Sequence, residues 1–353
     1  TPPFTPTLVD GRMRARGAED NKGQHFYALK AMQALIRAKT LNVTVKVVLE
    51  GEEESGSGGI TAMLSEWEDV IKADVLMVTD IFMESLTQPT ITLGLRGIIG
   101  LTVVLSGPVN DLHSGTHGGI APNPATAMAR LLACLHNEQG GIAVEGFGDD
   151  ILPPTPDEKK MATDVPFDID TYAKLTGVAP VAGDTGITPV ERLAFHPSID
   201  INGLHSGFGG PGSKTIIPAE ATAKITSRLA AGQDPERALN AVVDHLHAHA
   251  PQGLELAVTE QWAAGAGFRL NPDSPYVSKA AEVLNRQFGK DPVLRWEGAS
   301  IPVIADLSKK SGAEPLLIGF GLEEDRIHAP NESFSIDQFR LGYEYVSSML
   351  SSL

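Results

Sequence analysis

The chain has 353 residues, 42% of them hydrophobic, which suits about two packed domains and is too apolar for a disordered protein. It carries 28 Lys and Arg against 44 Asp and Glu, a formal net charge of −16 that argues against nucleic acid or an anionic membrane as a partner. Cys134 is the only cysteine, which excludes an intrachain disulfide and a multi-cysteine zinc knuckle, and no apolar run reaches the roughly 18 residues of a membrane span.

In chain order, residues 1–20 read as a loop rich in Pro and Gly. Residues 24–38 place Phe26, Leu29, Met32, Leu35 and Ile36 at helical spacing. The β-branched run VTVKVVL at 43–49 reads as a buried strand, and a helix follows over about 60–72. ADVLMVTD at 73–80 is another buried strand, ending on Asp80. Strand, helix, strand in this order predicts an α/β fold with a mainly parallel sheet. After about residue 95 the pattern changes. An exposed strand of a different sheet is expected at 96–106 and a helix at 123–137. A stretch at 140–200, rich in Pro, Gly and Asp, shows little periodicity. A strand at 215–229, a helix at 234–249 and a strand at 254–262 complete an α+β module. From about 272 the α/β pattern returns, with helices at 275–288, 302–311 and 335–350 and a strand at 315–320. The expected organisation is one α/β domain, 1–94 and 268–353, interrupted by an inserted domain at 95–267.

Several clusters can carry chemistry. Gly17-Ala18-Glu19-Asp20-Asn21-Lys22-Gly23 precedes the first helix, and alone reads as a polar helix start. Glu50, Glu52, Glu53 and Glu54 crowd four like charges after the apolar run, where a cation would relieve their repulsion. Asp80 ends the next strand, and Ile327-His328-Ala329-Pro330-Asn331-Glu332 follows the strand at 315–320. The carboxyl edge of an open α/β sheet is where ligands bind. Asp, Glu and His without cysteine form a ligand set for hydrolytic zinc, manganese or a similar cation. Other segments carry less. Gly207-Phe208-Gly209-Gly210-Pro211-Gly212-Ser213-Lys214-Thr215 fails as a phosphate loop, because Ser213 intervenes before Lys214 and a strand follows in place of a helix. His245, His247 and His249 alternate in a helical segment, and residues two apart sit on different faces and chelate poorly. No Gly-x-Ser-x-Gly elbow occurs, so an α/β-type serine hydrolase lacks its nucleophile.

Taken together, RGAEDNKGQ (16–24), EGEEESGS (50–57), VLMVTD (75–80), DLHSGTHGG (111–119) and IHAPNE (327–332) resemble the dizinc metallopeptidases of the carnosinase/aminoacylase group, metallopeptidase family 20. GGPGSKTIIP (209–218) and EGASIP (297–302) are similar to its dipeptidase branch. The resemblance implies a catalytic domain holding two divalent ions, zinc first, with manganese or cobalt as alternatives. It implies an inserted lid and dimerisation domain, and hence a homodimer. By position, Asp20 matches the carboxylate bridging the metals, Glu53 the general base, Glu54 and His328 ligands of one metal, and Asp80 a ligand of the other. His113 matches an imidazole that reaches the neighbouring subunit's active site and steadies the oxyanion. Thr215, Arg228 and Ser300 match substrate contacts, with Arg228 suited to a carboxylate. The activity implied is cleavage of dipeptides or C-terminal residues. The alternatives are an N-acyl amino acid deacylase of the same family and a non-catalytic relative. Two departures stand out. The family's upstream His-x-Asp ligand motif has no counterpart in residues 1–24, so that part is expected outside these residues or on another polypeptide. Glu19 adds a carboxylate where the family often has a small or hydroxyl residue. The cytoplasm is the expected location, with an exported form as the alternative.

Overall fold

The computed structural model describes residues 1–353 and divides the chain into two units. The first comprises Thr1–Gly94, Arg269–Trp296 and Asp306–Leu353, and the second comprises Leu95–Phe268 and Glu297–Ala305.

In the first unit, a four-stranded sheet runs in the order Val293–Arg295, Thr90–Thr92, Glu314–Leu317, Val75–Val78. Its outer pairs are parallel, as the strand–helix–strand order predicts, and one antiparallel contact between Leu317 and Thr92 joins them. The helix Gln24–Ala38 packs on Ile336–Ser352, which also packs on Pro275–Phe288. Tyr27 is fully buried, with its ring 5.8 Å from that of Phe320 and 6.2 Å from that of Phe339. A Cβ at Gly342 would lie 2.4 Å from the Tyr27 ring, so the close helix approach depends on glycine there.

Several expectations need correction. The buried face of the first helix is Gln24, Tyr27 and Ala31, whereas Phe26 and Ile36 are 49% and 61% exposed. Residues 43–49 form no strand, and Val47 and Leu49 are 50% and 62% exposed. A strand needs a hydrogen-bonded neighbour, and no sheet includes this run. Residues 1–20 are more than loop, because Thr7–Val9 and Arg12–Arg14 form a hairpin that Ser333–Ser335 extends.

The second unit is built on an antiparallel sheet in the order Glu255–Gly265, Gly97–Ser106, Glu220–Leu229, Ser198–Ser206. Gly97–Ser106 is a central, mostly buried strand rather than an exposed one. Helices Pro124–Ala133 and Pro235–Ala248 pack on this sheet. Both begin with a capping Asn or Asp followed by Pro, a strong start signal. Met128, Leu131, Leu132, Val242 and Leu246 from these helices meet Ile99, Leu101, Val103 and Ile225 in one apolar core. The stretch 140–200 contains three short helices, Pro156–Asp164, Ile169–Thr176 and Pro189–Phe195, and the start of the strand Ser198–Ser206. Each helix is started by a local cap, Thr155, Asp168 or Thr188, which periodicity alone does not reveal. No helix in the chain is long and apolar enough to cross a membrane.

Candidate active site

In the first unit, the turn before the helix Gln24–Ala38 is fixed from the other end of the sequence. Glu332, only 2% exposed, accepts hydrogen bonds from the backbone N–H groups of Gly17 at 2.7 Å, Glu19 at 3.0 Å and Asp20 at 3.1 Å. Gly17 takes the left-handed backbone that starts this turn. The result presents the half-buried Asp20 carboxylate to His328, with Oδ2 2.9 Å from Nε2. The same Nε2 lies 2.8 Å from Glu54 Oε1. His328 sits in a turn where Arg326, His328 and Asn331 all have positive φ, each costing on the order of 1 kcal/mol or more, a form of strain that gathers at functional sites.

The acidic run divides its tasks. Glu50 accepts from the Ser57 hydroxyl at 2.9 Å, and Glu52 accepts from the Gly59 N–H at 2.8 Å, at the start of the helix Gly58–Ile71. Glu53 and Glu54 lie on the short turn Glu53–Ser55. Burial first, and then the charges of Glu54 and Asp20, push the Glu53 carboxyl up to about 7. Asp80, after the strand Val75–Val78, is pushed up to about 7 by burial and by Asp20, Glu53 and Glu54. Asp20 rises to about 6 through burial and its interactions with Glu54. Burial also raises Glu54, but hydrogen bonds with His328 and Asp20 outweigh it and leave the carboxyl below its ordinary value. The hydrogen bond to Glu54 raises His328, against the opposing effect of burial. Donor atoms of Asp20, Glu54 and His328 all lie within 4.8 Å of one another. Hard carboxylate oxygens around one imidazole, mutually repelling and partly desolvated, fit a divalent cation.

Glu19 does not join this cluster. It is 2% exposed and accepts from Gln24 Nε2 at 2.8 Å, while Gln24 Oε1 accepts from the Phe320 N–H at 2.8 Å. Burial, followed by Asp325, Asp80 and Asp20, pushes its carboxyl up to about 9.

In the second unit, the expected residues fall into two groups. His113 lies on a two-residue ribbon, Leu112–His113, paired with Ile216–Ile217, and the Ser114 N–H donates to the Thr215 carbonyl at 2.9 Å. His113 is exposed, and its Nδ1 accepts from the Gly115 N–H at 3.1 Å. Arg228, on the strand Glu220–Leu229, donates to Ser300 Oγ at 2.7 Å, and Ser300 donates to the Gly97 carbonyl at 3.2 Å. The sequence reading missed Glu332, although it stands in the IHAPNE motif just before a buried strand. Arg96 is lowered to about 10 by burial and by Arg228, and it donates to the Gly298 carbonyl at 2.9 Å.

Clustered carboxylates and an imidazole on an α/β frame place the chain among metal-dependent hydrolases. Comparison with known proteins narrows the class. The model of peptidase family M20/M25/M40 matches residues 1–352, and the chain belongs to that family. It is 31% identical to the Beta-Ala-His dipeptidase of Rattus norvegicus, over 95% of this chain and 69% of that one. It is 27% identical to the Cys-Gly metallodipeptidase dug1 of Schizosaccharomyces pombe, over 100% of this chain and 75% of that one. The crystal structure of an M20 family metallo-carboxypeptidase from Sulfolobus solfataricus superposes with a TM-score of 0.88 at 28% identity, covering 99% of this chain and 79% of that one.

Proposed function

We propose that the chain hydrolyses the amide bond of dipeptides, or of the C-terminal residue of short peptides, with two divalent ions. The Asp20–His328–Glu54 cluster, with Glu53 on the same turn as Glu54, carries this reading. The names of the relatives, dipeptidases acting on Beta-Ala-His and Cys-Gly, support the substrate class. Asp20, Glu54, His328 and Asp80 are the residues that would hold the ions, with zinc as the leading candidate. When bound, the ions supply a water acidified to near neutral pH and positive charge for the scissile carbonyl. Glu53 would act as the general base, accepting a proton at its carboxylate from the attacking water and returning it to the leaving amine. The second unit acts as an inserted lid and dimerisation domain. His113, supplied by a partner subunit, donates to the carbonyl oxygen as it gains charge. Arg228, oriented by Ser300, binds the free carboxylate of the substrate, and Thr215 adds a polar contact.

The test is a substrate panel on chelator-stripped and metal-reloaded protein. It compares dipeptides, their C-terminal amides, and N-acetyl and N-succinyl amino acids. Dipeptides should be cleaved only after reloading, and their amides should lose roughly tenfold or more in kcat/KM. Faster turnover of the N-acyl compounds would reassign the protein to deacylation. Absence of hydrolysis by the reloaded protein would remove the reading.

A further inference from the structure

A second cluster of metal-binding side chains lies in the second unit, on the helices that cover its sheet. Cys134 is the C-cap residue of the helix Pro124–Ala133, and His249 is the C-cap residue of Pro235–Ala248. His245 lies one turn before His249, and their rings are 4.2 Å apart. One donor atom from each of Cys134, His245 and His249 lies within 4.8 Å of the other two. The expectation from alternating histidines looked at neighbours two apart. The pair that shares a face is four apart, the spacing at which two helical side chains meet.

We propose that Cys134, His245 and His249 form a site for one zinc-like divalent cation, separate from the carboxylate centre of the first unit. Four observations carry this. The first is tautomer control. His245 Nε2 lies 3.1 Å from the Cys134 carbonyl, and His249 Nδ1 lies 2.8 Å from the His245 carbonyl. A carbonyl only accepts, so each of those nitrogens carries the hydrogen. The other nitrogen of each ring is then left with its lone pair. Histidine ligands are commonly fixed in this way.

The second is the donor set, one thiol and two imidazoles, which suits a borderline-soft divalent ion. The third is the field. Two helices of 10 and 14 residues end on this cluster, and helix C-termini carry the negative end of the dipole. The fourth is access. Cys134 and His249 line an open cavity of about 530 Å³, bounded also by Asn123, Arg130 and Gln252, through which a cation reaches them from solvent. Ligand bonds of about 2.0–2.3 Å require the donor atoms to draw in to about 3.3–3.7 Å of one another. His249 is exposed and can make that move. Cys134 now donates to the Leu131 carbonyl at 2.9 Å, and binding releases its thiol proton to solvent.

The single cysteine makes the test direct. Full-length protein is stripped of metal and titrated with Co²⁺ while near-ultraviolet absorption is followed for thiolate-to-metal charge transfer. The carboxylate centre has no sulfur ligand and stays silent in this band. The wild type and Glu54→Gln should both show the band, saturating at the same intensity, that of one thiolate-bound ion per chain. Cys134→Ser should lack it, and His249→Gln, an exposed change that spares the core, should weaken Co²⁺ binding roughly tenfold or more. Two results would overturn the proposal: no band in the wild type at millimolar Co²⁺, or a band of unchanged affinity in the His245→Gln/His249→Gln double variant. If Cys134→Ser does not fold, the histidine variants decide the question alone.

Discussion

Glu332 is the point where the geometry makes its sharpest quantitative demand. Its carboxylate is almost fully buried and accepts three backbone N–H groups from the turn that carries Asp20. Glu332→Gln keeps the size of the side chain and one accepting oxygen. The other oxygen becomes an NH₂ group, which cannot accept, so at least one of the three N–H groups loses its partner. A hydrogen bond to a charged acceptor contributes about 1.5–3 kcal/mol. Taking about 2 kcal/mol, local opening of the turn becomes about 30-fold more frequent. Amide hydrogen exchange, read by mass spectrometry on peptides covering residues 16–21, measures that opening without unfolding either unit. The expected result is exchange about 30-fold faster in metal-free protein, with weaker metal binding at the carboxylate centre. Exchange changed by less than about threefold, with unchanged metal affinity, would falsify the claim that Glu332 holds Asp20 in place.

The other predictions address separate parts of the molecule. Glu53→Gln should lower kcat by about 10²–10⁴ while metal content measured by elemental analysis stays at the wild-type level, and an active variant would exclude Glu53 as the base. Gly342→Ala should destabilise the first unit by about 1–3 kcal/mol, because the added methyl meets the Tyr27 ring, and an unchanged urea midpoint would refute this. His196 is held below its ordinary value of 6.5, chiefly by burial, so the unfolded chain binds the proton more readily. Its contribution to stability is therefore full above about pH 6.5 and declines as the pH falls below it. His196→Gln should shrink the loss of thermal midpoint between about pH 7.5 and 5, and parallel wild-type and variant profiles would contradict it.

What the sequence revealed depended on whether the signal was local. The helix Pro275–Phe288 was legible to the residue, because Ser274 caps it, Pro275 opens it and Gly289 closes it. The convergence of Asp20, Glu54 and His328 was legible through motif resemblance, since 274 positions separate Glu54 from His328 and no spacing rule spans that distance. The run at 43–49 was misread because strand character requires a partner, and a β-branched composition does not supply one. The helices between 156 and 195 were missed because each is too short for a periodic stripe, although their Thr and Asp caps stood in plain view. Glu332 escaped notice because its role is to accept backbone hydrogens, a task that leaves no mark in side-chain pattern.

The grip of Glu332 on Asp20 also has a consequence in time. The two residues are 312 positions apart, and at about 5–20 residues per second the ribosome needs roughly 15–60 s to travel from one to the other. For that interval Asp20 is made but has nothing to hold it. The sheet of the second unit lies wholly between them, so its strands can pair first. The turn that carries Asp20 is therefore fixed only after the whole of that sheet has been made.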